Sequence, residues 1–199
     1  MNKTRKDPGQ EKSMRERMLA GELYIANDPE LARMHSRARQ LLHDFNMSRP
    51  EESAQRGSIL RDLLGTCGEN VEIRPPFYCD YGIHISVGDN FFANFDCVIL
   101  DCNMVRIGNG VLFGPKVQVY TATHPLDPDT RRDHWEMAYP VTIEDDVWVG
   151  GGAIICPNIT IGAGSTIGAG SVVIRNVPAG VFAAGNPARV MRSVRESDR

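Results

Sequence analysis

Between Val141 and Val177 an apolar residue falls on every sixth position: Ile143, Val149, Ile155, Ile161, Ile167 and Val173. Four residues after each stands a second small or branched residue: Val147, Ala153, Ile159, Ser165, Ser171 and Val177, counting from Ile143 and shared between neighbours. A helix repeats every 3.6 residues and a strand every 2, so neither produces a strict six. Six is the period of a parallel β-solenoid, in which each hexad makes one short side and three hexads close one triangular coil. The glycines that follow inward positions, Gly150, Gly162 and Gly168, suit corners where a side chain would strike the next coil.

The same phase runs backward through Val119, Phe113, Ile107, Ile99, Ala93, Val87, Cys79 and Ile73, with Cys67 as a further candidate. Three hexads separate successive interruptions. The spacing widens to eight between 79 and 87 and between 99 and 107, and to twenty-four between 119 and 143. All three insertions therefore fall at one corner of the prism, between side three and side one. The longest, residues 125–142, is a loop thrown off a regular scaffold, a common place for function.

Before the hexads the spacing is helical. Met14, Met18 and Leu19 begin a short helix that ends near Gly21. Asn27-Asp28-Pro29 starts a second, with Leu31, Met34, Ala38, Leu41, Leu42 and Phe45 on one face. Ser48-Arg49-Pro50-Glu51 reads as the capping box of a third, with Ile59, Leu60, Leu63 and Leu64 buried. The chain thus divides into a polar tail (1–12), a helical cap (13–66), a β-helix (67–185) and a basic terminal helix with a tail (186–199). The cap is too small to fold alone and covers the open end of the solenoid. The fold expected is mainly β, a parallel hexapeptide-repeat β-helix with a small N-terminal helical cap.

A net charge of −3 gives no reason to expect nucleic acid or an anionic membrane as partner. No apolar run approaches the ~20 residues of a membrane span, and the basic N-terminus lacks the apolar centre of a signal peptide. A cytoplasmic location is expected. The five cysteines, Cys67, Cys79, Cys97, Cys102 and Cys156, form no CxxC pair, which argues against a disulfide framework or a zinc knuckle.

The hexad phases place candidate residues in space. His124 ends side three at the base of the long loop, and Asp80, Asp101 and Cys102 end side three of earlier coils. Asn94, Trp148 and Gly151 are placed at or just after the corner between sides one and two, with Phe92 and Leu112. One side spans about 20 Å, so the two groups cannot meet in one subunit. A trimer would bring one chain's insertion corner against its neighbour, giving sites shared between chains. An imidazole at His124 could take a proton from a hydroxyl near neutral pH, or could simply be a corner residue bonded to backbone. His84 reads as pointing away from the prism, and His35 and His43 as solvated on the cap. Asp80 and Asp101 are also ordinary turn residues, and Trp148 is either a substrate wall or interface packing. Arg175, Arg189 and Arg192 form a basic cluster suited to a phosphorylated ligand, or a solvated basic helix.

The segments MLAGELYIANDPEL, FFANFDCVILDCNMVRIG, YTATHPLDP, VWVGGGAIICPNITIGAGSTIGAGSVV and AAGNPARVMR resemble the maltose/galactoside O-acetyltransferases, a branch of the hexapeptide-repeat acyltransferases, over roughly residues 14–195. The resemblance implies a left-handed β-helix, a homotrimer with sites between subunits, acetyl-coenzyme A as donor, a sugar as acceptor and no metal. It makes His124 the general base and Asn94, from the neighbouring chain, the residue that steadies the reacting acetyl group. It maps cofactor contacts to Asn94, Gly151, Ala169, Ile174, Arg175, Arg189 and Arg192, and acceptor contacts to Asp28, Asp80 and Cys102. Three departures stand out: Ile174-Arg175 replaces the usual Thr-Lys, Gly151 a frequent Ser, and Cys102 an Asp found in some relatives. The loop residues Trp135 and Glu136 receive no role.

Two other functions use the same scaffold. A trimeric zinc hydratase of the carbonic-anhydrase type would need three histidines to converge, and the nearest trio, His84, His124 and His134, differs in phase. A non-catalytic scaffold would need none of the candidates.

Overall fold

The computed structural model describes residues 12–194 and 198. The polar tail expected over 1–12 lies, apart from Lys12, outside the described residues, as do positions 195–197 and 199.

Three helices open the chain. α1 (Met14–Leu19) begins with a capping box in which Ser13 Oγ accepts from the Glu16 N–H and the Glu16 carboxylate accepts from the Ser13 N–H. β1 (Tyr24–Ile25) follows, and then α2 (Pro29–Asn46), whose N-cap Asp28 accepts from the N–H groups of Glu30 and Leu31. Leu31, Ala38, Leu42 and Phe45 form its buried face, as their spacing predicts. α3 (Ser53–Leu63) starts later than the Ser48 signal suggests, from Glu52 and with no side-chain cap. The Ser48 hydroxyl is used elsewhere: it donates to the Phe45 carbonyl at the end of α2 and accepts from Arg56 Nε. Ile59, Leu60 and Leu63 then seal the core against Phe77 and Phe45.

The rest winds into three parallel sheets. Side one stacks β2 (Thr66–Cys67), β5 (Ile85–Val87), β8 (Val105–Ile107), β13 (Val141–Ile143) and β16 (Thr160–Ile161). Side two stacks β3 (Glu72–Ile73), β6 (Phe92–Ala93), β9 (Leu112–Phe113), β14 (Trp148–Val149), β17 (Thr166–Ile167) and β19 (Val181–Gly185). Side three stacks β4 (Phe77–Cys79), β7 (Cys97–Leu100), β10 (Gln118–Tyr120), β15 (Ile154–Ile155) and β18 (Val172–Val173). Hexad-inward residues lie in direct register, giving columns such as Cys79, Ile99, Val119, Ile155 and Val173. Every one of them from Ile73 to Val173 is buried, and each Val, Ile or Phe among them contributes about 1.5–3 kcal/mol. Ser165 and Ser171, at second positions, are buried with their hydroxyls donating to the Pro178 and Gly168 carbonyls. The corner glycines meet their expected constraint: a Cβ on Gly150 would lie 2.5 Å from the Ala169 nitrogen of the next coil, and one on Gly162 2.4 Å from Ala179.

The long insertion is more ordered than a loop. β11 (Ala122–Thr123) leads through α4 (Pro128–Arg132) to β12 (Trp135–Ala138), which returns antiparallel to it. β12 also pairs with β1, Tyr24 opposite Glu136 and Ile25 opposite Trp135, so the insertion is fastened to the cap.

Among the described residues the basic terminal helix is not formed. β20 (Ala188–Ser193) turns back at Asn186-Pro187 and runs antiparallel to β19. β19 would otherwise be the bare edge of a six-stranded stack, and β20 gives its unpaired backbone groups partners. Val190, Met191 and Val194 could share one helical face, but a single turn of it does not outweigh that gain. A second correction concerns side two. Trp148 lies on its flat outer face, not at the corner between sides one and two, because the strand runs through Trp148 itself. Asn94 and Gly151 follow strands β6 and β14 and sit at the next corner, between sides two and three.

Candidate active site

β10 and β11 deliver His124 to the corner between sides three and one, where its side chain is exposed. The strand just before it is held firmly: Thr121 is fully buried, and its hydroxyl donates to the Leu100 carbonyl. One coil earlier the chain turns the same corner through Asp101 and Cys102. Asp101 is wholly buried and accepts from the N–H groups of Asp80, Tyr81 and His84 at 3.0, 2.8 and 3.3 Å. Burial pushes its carboxyl upward, and the backbone N–H groups of Tyr81, Gly82 and His84, with the His84 ring, oppose the push. The turn is thereby shaped around one carboxylate, which is the structural role its sequence position allows.

Asp80 and Cys102 meet beside it. The Cys102 thiol donates to Asp80 Oδ2 at 3.4 Å. Burial raises the Asp80 carboxyl, the thiol's hydrogen bond works against this, and the Asp101 charge adds to it. Burial, with the Asp80 charge, pushes the Cys102 thiol far above its ordinary range, so it remains a protonated donor. Tyr24, also fully buried, interacts with Cys102 and donates to Glu136 Oε2 at 3.0 Å. Asp80, Cys102, Tyr24 and Glu136 thus form a polar chain at the junction of cap, solenoid and insertion. Sequence reasoning missed Tyr24 and Glu136, because a buried tyrosine in a two-residue strand carries no periodic signal. Asp28, the N-cap of α2, is joined to this chain by none of the described hydrogen bonds.

His84 is 2 % exposed and does not point away from the prism; its Nδ1 donates to the Asp101 carbonyl at 2.7 Å and its ring lies 5.4 Å from that of Tyr81. His35 is half-buried, its ring 6.2 Å from Tyr81 rather than fully solvated, while His43 is exposed as expected. Among the described residues no group of three or more His, Cys, Asp or Glu is placed to hold a metal ion. His84, His124 and His134, the trio a zinc hydratase would need, form no such group. No helix among the described residues is long and apolar enough to cross a membrane.

The remaining candidates gather on side two and at the solenoid's C-terminal end. Phe92, Leu112, Trp148, Thr166 and Phe182 stand in register down the outer face of side two. Leu112 is 46 % and Trp148 54 % exposed. Arg192 on β20 lies over the Phe182 ring at 5.9 Å and pairs with Asp198 at 2.6 Å. Trp148, Thr166, Phe182, Arg192, Val194 and Asp198 enclose a groove of about 390 Å³. Ala169, Ile174, Arg175 and Arg189 are all exposed around the same end. Cations beside exposed apolar surface fit a ligand with phosphates at one end and an apolar arm, the chemistry of coenzyme A. Asn94, whose Oδ1 accepts from the Phe95 N–H, stands at the other end of side three from His124, roughly 20 Å away at the usual strand rise.

Two family models match the chain. The maltose acetyltransferase hexapeptide capping motif covers residues 17–68, and the bacterial transferase hexapeptide (six repeats) covers 140–175. The galactoside O-acetyltransferase of Escherichia coli is 39 % identical over 186 residues, 94 % of this chain and 92 % of that protein. Nodulation protein L of Rhizobium meliloti is 48 % identical over 179 residues, 90 % of this chain and 98 % of its own. Among solved structures, a maltose O-acetyltransferase from Clostridium difficile superimposes with a TM-score of 0.92 at 44 % identity, covering 93 % of this chain and 99 % of that one. A galactoside acetyltransferase in complex with coenzyme A gives 0.91 at 37 % identity, covering 94 % of each. Cap, solenoid and insertion together make the chain a member of the maltose/galactoside O-acetyltransferase family of hexapeptide-repeat acyltransferases.

Proposed function

We propose that the protein moves an acetyl group from acetyl-coenzyme A to a hydroxyl of a sugar of the maltose, glucose or galactoside type. The observation that carries this reading is the placement of His124 at the corner where cap, solenoid and insertion converge, in a chain alike over more than nine-tenths of its length to enzymes named for that transfer. In this reading the acceptor hydroxyl gives its proton to the His124 imidazole while its oxygen attacks the thioester carbonyl. The new C–O bond forms, the C–S bond breaks, and coenzyme A leaves as the thiol after taking the proton back. A positioned base contributes roughly two to four powers of ten, and a donor to the developing oxyanion a similar amount.

Asp80, Cys102 and Asp28 are assigned to the acceptor. Gly151, Ala169, Ile174, Arg175, Arg189 and Arg192 are assigned to the coenzyme, with Trp148 as a wall of the site. Asn94 is the donor to the acetyl oxygen. Because it stands at the far end of side three from His124 in its own chain, the pair that reacts is drawn from two subunits of a trimer, packed through the exposed row on side two.

Thiol release from acetyl-coenzyme A in the presence of maltose, glucose and galactosides tests the reaction. His124→Ala should lower kcat by about two to four powers of ten, with coenzyme A binding and assembly unchanged. Full activity in that variant would remove His124 from the mechanism, and a monomer by sedimentation would remove the shared site.

A further inference from the structure

We infer that Asn103 is a positioning residue for the reaction, fastening the hairpin that carries His124 to both the cap and the solenoid. The inference rests on the reading of His124 as the base and adds a residue to it. Asn103 is polar, 2 % exposed, and lies one coil before the histidine. Its Nδ2 faces three carbonyls: Met18 at 3.1 Å, Leu19 at 3.3 Å and Ala138 at 2.9 Å. Only an NH2 group can face three acceptors, so the amide orientation follows from the surroundings. Met18 and Leu19 end α1, where helix carbonyls lack intrahelical partners; Met18 accepts there from the Gly21 N–H as well. Ala138 pairs with Ala122, two residues before His124.

The rest of the residue grips the other strand. Oδ1 accepts from the Met104 N–H at 2.7 Å, and the backbone N–H donates to Thr121 Oγ1 at 2.9 Å. Thr121 accepts at its carbonyl from the Tyr139 N–H at 2.8 Å, so both arms of the hairpin close on one buried point. The Val141 N–H donates to the Met104 carbonyl and seats the exit of the insertion beside it. A leucine or valine of similar volume would fill the space but take from the Met18, Leu19 and Ala138 carbonyls the donor they share, leaving Met18 with only the Gly21 N–H at 3.2 Å. Displacement of a reacting group by about 1 Å can lower a rate a hundredfold. A residue that binds the strand three positions before His124 and the strand opposite it therefore controls catalysis without touching substrate.

Asn103→Ala and Thr121→Val in the full-length protein test this, with amide hydrogen exchange and steady-state kinetics on the same preparations. Exchange at residues 121–124 and 135–138 should rise at least tenfold in Asn103→Ala, and less in Thr121→Val. The kcat should fall at least tenfold and severalfold respectively, while KM for acetyl-coenzyme A stays within twofold. Unchanged exchange in both variants would overturn the inference, as would faster exchange with unchanged kcat. If Asn103→Ala does not fold, the isosteric Thr121→Val decides on the same criteria. Wild-type protein inactive with every sugar would overturn the proposed transfer instead, and the exchange measurement would still decide whether the hairpin is clamped through Asn103.

Discussion

The Tyr24 hydroxyl donates to the Glu136 carboxylate at 3.0 Å, across a two-residue antiparallel ladder that joins the N-terminal cap to the insertion. Two segments 112 residues apart are thus locked together beside His124. Burial, with Cys102 and Glu136 adding, pushes the Tyr24 phenol upward, so it stays a donor throughout the working pH range.

Tyr24→Phe removes that hydrogen bond and the hydroxyl's interaction with Cys102, and keeps the buried ring. Because the acceptor is a carboxylate, the expected loss is about 1.5–3 kcal/mol. Thermal unfolding of the variant should show it directly, with the far-ultraviolet spectrum of the folded protein unchanged.

Phe113 lies on the solenoid axis with 1 % exposure, edge-on to Phe91 at a centroid distance of 5.2 Å. Phe113→Ala opens a cavity that the rigid coils on either side cannot close. A destabilisation of about 3–5 kcal/mol is expected by denaturant titration, against under 1.5 kcal/mol for Ile155→Val.

Leu112 and Trp148 are neighbours in register on the outer face of side two, and both are about half exposed in the single chain. If the proposed trimer packs through this row, Leu112→Glu with Trp148→Glu should give a folded monomer by sedimentation and abolish transfer, since the proposed pairing of Asn94 with a neighbour's His124 would be lost. A trimer that survives both changes would place the subunit interface elsewhere.

His84 is held neutral: burial lowers its pKa below the ordinary 6.5, Arg15 adds to this, and Asp101 opposes it. The unfolded chain binds a proton that the folded one refuses, so stability is present above about pH 6.5 and is lost as the pH falls below it. The slope from one such group reaches at most about 1.4 kcal/mol per pH unit. His84→Gln keeps a donor for the Asp101 carbonyl and should flatten that part of the stability profile. An identical slope in wild type and variant would exclude His84 as its source.

The hexads made most of the architecture legible. A period of six leaves each coil no freedom except at its corners, so the inward residues from Ile73 to Val173 are all buried where the count puts them. The three insertions do share one corner, because an insertion anywhere else would break the stacked register. The terminal strand β20 was not legible. ARVMRSVR is compatible locally with a helical turn or a strand; the bare edge of β19, visible only once the sheet exists, decides it. His84 and Ser48 were misread for a related reason, since their partners, the Asp101 carbonyl and Arg56 Nε, come from other turns of the chain.

Repeat period, cap and corner histidine are properties of the sequence by itself, because short-range spacing dictates which residues turn inward and where the coil can be interrupted. The meeting of Tyr24 with Glu136, and of Asn103 with Met18, Leu19 and Ala138, belongs to the tertiary structure alone. Such contacts join residues far apart in the chain through single buried hydrogen bonds, whose partners no periodicity encodes and only the assembled fold brings within reach.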